Sequence, residues 1–144
     1  MEIVTMGKVV VPAVIENLED LYKAESGTIT ADKIRRIEVQ DALVDTGAMM
    51  LSVPKRLITQ LGLKPFKKRT VRTVAGIVET TLYSGVRLTV QEREFTCDVA
   101  EIPDDCPMLI GQIPLEGLDF VVDPIHQRLI GNPEHGGEHM IDIF

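Results

Sequence analysis

Ala42-Leu43-Val44-Asp45-Thr46-Gly47-Ala48 constrains this chain more than any other segment. Three apolar residues run directly into an acid and two turn-formers. Such a run reads as a buried strand, and glycine lets the backbone turn sharply beside the carboxylate. Asp45 is then held near the interior, where its surroundings tune its proton affinity. An acid so placed is a candidate for catalysis; a structural acid capping a turn is the plainer alternative. The motif occurs once in the chain.

A length of 144 residues fits one compact domain, 1–144, with a real core. Trp is absent and aromatics make up only 4%, so that core must rest on Val, Ile and Leu. No apolar run reaches the length of a membrane span, and Met1 to Lys8 lacks the pattern of a signal peptide. The expectation is a cytoplasmic protein without a membrane partner. A net charge of −7 argues against nucleic acid, whose phosphates repel such a surface. The basic run Lys64-Pro65-Phe66-Lys67-Lys68-Arg69 stands against that trend and reads as a solvated turn. Cys97 and Cys106 fit no zinc signature and read as free thiols. In His135-Gly136-Gly137-Glu138-His139 the two glycines would not hold both histidines on one helical face, so no metal site is expected.

Strand signals dominate the rest. Lys8 to Ile15 is β-rich, with Pro12 marking an edge or a bulge. Asn17 to Ser26 reads as a connecting segment or a short helix, and Thr28 to Glu38 leads into a second strand ending at Asp45. Ser52 to Gly62 is the one convincing helix, with Ser52 as cap, Pro54 in the first turn and Gly62 as stop. Thr70–Val74 and Ile77–Tyr83 flank Ala75-Gly76 as a hairpin, and Val86–Val90 and Phe95–Ala100 alternate as half-exposed strands. Met108-Leu109-Ile110-Gly111 is a second buried strand ending on glycine. A short helix around Ile113 to Leu118 and a hairpin across Asp123-Pro124-Ile125-His126 complete the core, about residues 8–133. Asp104, Asp105 and Asp123 read as loop and turn acids. The tail 134–144 ends in Met140-Ile141-Asp142-Ile143-Phe144, apolar enough to want a partner surface.

In this order, the acid-bearing strand end, the following helix, the glycine-tipped hairpin and Leu109-Ile110-Gly111 resemble the retroviral-type, or retropepsin-like, aspartic proteases. The resemblance is to their small bacterial and archaeal single-domain members and covers roughly residues 8 to 133. It implies a mainly β, closed barrel-like domain with one short helix after the catalytic loop and a β-hairpin flap. It also implies an endopeptidase that needs no cofactor or metal. Two carboxylates share one proton and activate a water against the peptide carbonyl.

With one Asp-Thr-Gly per chain, the resemblance implies a homodimer with Asp45 from each subunit at the axis. Thr46 and Gly47 would support the catalytic loop. Ala48, Met49 and Met50, with Ala75, Gly76 and Ile77 of the flap, would bind the peptide or protein substrate. Leu109, Ile110 and Gly111 would back the site. Many viral relatives carry acids after the alanine; Met49 and Met50 here imply a more apolar subsite. A non-catalytic peptide-binding or assembly module of the same fold is the rival reading.

Overall fold

The computed structural model describes residues 8–143. Its first strand, β1 (Val9–Asn17), buries alternate residues Val9, Val11, Ala13 and Ile15, as a half-exposed strand must. The register slips between Val11 and Ala13, so Pro12 sits at a bulge where its missing N–H costs no ladder bond. Helix α1 (Leu18–Glu25) follows, capped by the Asn17 side chain, which accepts from the Asp20 N–H at 3.0 Å. The only buried residue of α1 is Asp20, which is paired with Arg35 through its Nε at 2.8 Å. An inward-facing carboxylate weakens the apolar periodicity, which is why this helix was ambiguous in the sequence.

After β2 (Arg36–Val44) comes β3 (Leu51–Pro54), then helix α2 (Lys55–Leu61). Ser52 is therefore a buried strand residue and not the cap of α2. Pro54 takes the cap position, and Asp104 from a distant loop accepts from the Arg56 N–H at 2.8 Å. Asp104 is the exposed loop acid expected, and from that loop it serves as a remote cap. Gly62 ends α2 in the left-handed conformation at φ 65°, as expected of a helix stop. Next come β4 (Lys64–Thr73), β5 (Gly76–Val90), β6 (Arg93–Ile102) and β7 (Leu109–Ile110). Helix α3 (Gln112–Leu118) leads to a hairpin of β8 (Phe120–Asp123) and β9 (Arg128–Gly131). Asp123 holds that turn, accepting from the Ile125 and His126 N–H groups at 3.2 and 3.3 Å.

The domain is not a closed barrel: seven strands form one sheet in the order β1-β2-β7-β3-β6-β5-β4, and β8 and β9 form a separate two-stranded sheet. A second pairing, Val14–Asn17 of β1 with Val86–Thr89 of β5, ties the sheet across itself, but the outer edge of β4 pairs with no strand among the described residues. Three α-helices are present among the described residues, not one. The basic run at Lys64–Arg69 is also strand, not turn. It lies on the exposed edge, where neither face is buried and no alternation marks it.

The core is aliphatic. Ile15, Leu51, Ile58, Leu61, Leu88, Ile110 and Leu118 are its largest fully buried side chains. No helix among the described residues is long and apolar enough to cross a membrane.

Candidate active site

Strand β7 lies between β2 and β3, parallel to the first and antiparallel to the second. The loop 45–50 joining β2 to β3 must therefore pass around the end of β7. That winding places Asp45 at the sheet end and stacks the loop on Gly111. A Cβ on Gly111 would lie 2.5 Å from the Met50 carbonyl oxygen and 2.7 Å from that of Ala48. Only glycine permits the approach.

Backbone hydrogen bonds fix the loop from both sides. The Leu43 N–H donates to Met108 O at 2.8 Å and the Asp45 N–H to Ile110 O at 3.0 Å. The Gln112 and Ile113 N–H groups, orphan donors of the first turn of α3, reach Ala48 O at 2.8 Å and Met49 O at 2.9 Å. The Ala48 N–H closes the turn onto Asp45 O at 3.1 Å, and the Gly47 N–H donates to Asp45 Oδ1 at 2.9 Å. The carboxylate is half-buried and oriented by that bond, and it makes no ion pair among the described residues. Thr46, Gly47 and Met49 beside it are exposed, Met49 at 67%.

The structure thus brings together Asp45, Thr46, Gly47, Ala48, Met49 and Met50 with Leu109, Ile110 and Gly111. It does not fold Ala75, Gly76 and Ile77 onto them. These lie at the far end of the β4–β5 hairpin, whose turn is Val74-Ala75, with Gly76 already the first residue of β5. Thr73 stiffens the tip: its Oγ1 donates to Gly76 O at 3.0 Å and accepts from the Ala75 N–H at 3.1 Å. Val74 and Ile77 are fully or largely exposed there.

A half-buried acid thus stands on a strand-end turn, braced by a second strand that ends on glycine. A family model described as "gag-polyprotein putative aspartyl protease" matches residues 27–124. The chain belongs to this retropepsin-like aspartyl protease family. No curated protein matches it.

One cluster has no counterpart in the sequence reading. Asp119, 5% exposed, accepts from His135 Nδ1 at 2.7 Å, Asn132 Nδ2 at 3.1 Å and the Met140 N–H at 3.0 Å. The other ring nitrogen of His135 lies 3.2 Å from Asp142 Oδ2. Arg93 reaches the same region, donating to Leu118 O, Asp119 O and Gly137 O. His135 therefore ties the tail to the core. Its partners are 16 and 7 residues away along the chain, which no local motif signals.

The His135 hydrogen bond, aided by the Met140 N–H and the Asn132 amide, holds the Asp119 carboxyl down to about 2 against desolvation. Asp119 and then Asp142 raise the His135 imidazole above its ordinary value. A depressed acid stabilises the clamp above its ordinary pKa, and that contribution is lost as pH falls toward 2. A raised histidine stabilises below its ordinary value near 6.5, and the contribution is lost as pH rises through its folded value. Tail protection should therefore be greatest at mildly acidic pH. We expect the amide protection factor of Met140, measured by hydrogen exchange, to fall on both sides of that window. The alkaline fall should vanish in His135→Gln.

The two cysteines are free, as expected. Burial pushes the Cys97 thiol up to about 12, which leaves it inert.

Proposed function

We propose that this protein is an aspartic endopeptidase whose dyad is Asp45 from each of two copies of the chain. The observation that carries the reading is Asp45 itself: bonded to the backbone of Gly47, Ala48 and Ile110, half-exposed, and inside the stretch matched by the family model. Two such carboxylates brought together cannot both ionise cheaply, so they hold one proton between them. The ionised member takes a proton from a water lying between the two, and the other donates to the scissile carbonyl oxygen. Water attacks the carbonyl carbon, and collapse of the tetrahedral adduct breaks the C–N bond as the amine leaves with a proton.

In this reading Thr46 and Gly47 brace the loop across the axis, and Ala48, Met49 and Met50 face the substrate. The hairpin tip of Ala75, Gly76 and Ile77 swings over the bound peptide and excludes water. Leu109, Ile110 and Gly111 hold the loop from behind.

Subunit mixing tests the shared site directly. Exchange with an equal amount of Asp45→Asn protein should lower wild-type peptidase activity to roughly half, because mixed dimers carry one acid. Activity that is indifferent to the added variant would mean the site is complete in one chain.

The tail supplies a second check. Met140, Ile141 and Ile143 are exposed, at 49, 63 and 90%. We expect deletion of residues 140–144 to weaken the dimer at least tenfold by light scattering. An unchanged dimer constant would remove the tail from the interface.

A further inference from the structure

Strand β4 combines two features that the proposed chemistry does not use. It is the last strand of the seven-stranded sheet and pairs only with β5, so its outer row of backbone N–H and C=O groups has no sheet partner among the described residues. It also carries Lys64, Lys67, Lys68, Arg69 and Arg72 within a ten-residue strand that contains no acid. In a chain of net charge −7, that is a concentrated patch of opposite sign.

Only two of the five cations are answered within the described chain. Lys64 meets Glu19 at 3.2 Å, and Lys68 is 4.0 Å from Glu79. Lys67, Arg69 and Arg72 make no ion pair among the described residues. One or two lysines suffice to discourage edge-to-edge aggregation. Five basic side chains on both faces exceed that need and raise the local potential along the edge. Lys67 and Arg69 lie two apart on one face, where side chains of an added strand would stand about 5 Å away.

We propose that β4 is a docking edge for an acidic, extended segment of a protein partner, which adds to the sheet as an eighth strand. Backbone pairing supplies the affinity, and carboxylates opposite Lys67 and Arg69 supply the selection. A peptide fits this edge better than a nucleic acid does. The strand's free carbonyls need N–H donors, which a phosphate backbone lacks. Successive bases need aromatic platforms, and β4 exposes only Phe66.

The test is fluorescence anisotropy with a labelled decapeptide of alternating Glu and Thr. The receptor is the full chain carrying Asp45→Asn, so that no cleavage interferes and the result is independent of the peptidase reading. Binding should weaken steeply with salt and fall at least tenfold in Lys67→Glu/Arg69→Glu, whose side chains are exposed and whose fold should hold. Of two peptides N-methylated at odd or even positions, at least one should lose tenfold, since methylation removes donors and keeps charge. The proposal is overturned by undetectable binding, by equal binding of a Lys-Thr peptide, by full affinity of both methylated peptides, or by tighter binding of decathymidylate.

Discussion

Asp45→Asn is expected to lower peptide hydrolysis by at least about 10³-fold, a loss of about 4 kcal/mol of transition-state stabilisation. Asparagine has the shape of aspartate, and its side-chain oxygen still accepts from the Gly47 N–H that orients Asp45 Oδ1 at 2.9 Å. It has no carboxylate to take the proton of an attacking water. The loop should keep its place, because the bonds to Ile110, Gln112 and Ile113 are made by backbone. Cleavage of a peptide library from acidic to neutral pH, with melting and dimerisation measured alongside, separates chemistry from folding. Equal cleavage by both proteins would sink the mechanism.

Gly111→Ala should be the most damaging small change away from the acid. Its methyl would enter at 2.5 Å from Met50 O and 2.7 Å from Ala48 O, contacts with backbone rather than with a side chain able to rotate away. The loop is tied on that side through Ala48 O and Met49 O to the first turn of α3, so it yields only by breaking those bonds. Overpacking of this kind costs roughly 2–3 kcal/mol. For a chain of this size that lowers the melting midpoint by about 6–9 °C. Because the displaced loop carries Asp45, activity measured well below the new midpoint should fall further than stability does. A normal melting curve with full activity would show that β7 does not set the position of the loop.

Much of the local structure, including the strand end that carries Asp45, is legible because its signals are local. Leu43-Val44-Asp45 ends a strand, Gly62 stops a helix, and Asp123-Pro124 turns a hairpin; each is written in periodicity or turn chemistry within a few residues. The errors fell where side chains answer to distant partners. Ser52 looked like a helix cap, but β3 takes it into the sheet opposite Leu109 and Ala100. Helix α1 hid its inward face because Asp20 pairs with Arg35 across 15 residues. The basic run became a strand because β5 offers it a partner, despite two exposed faces.

The sequence alone determined that an acid stands at the end of a buried strand, in a mainly β chain whose core is Val, Ile and Leu. It also determined that one chain supplies one such acid. Those properties rest on residue type and short-range backbone preference. Tertiary structure decided why Gly111 matters: β2 and β3 flank β7, so the acid's loop must wrap around a strand contributed from about sixty residues later. It likewise decided that β4 is the last, basic strand of the sheet among the described residues, and that His135 fastens the tail between two carboxylates. Contacts between residues far apart in the chain carry no local pattern; they exist only once the sheet order is formed.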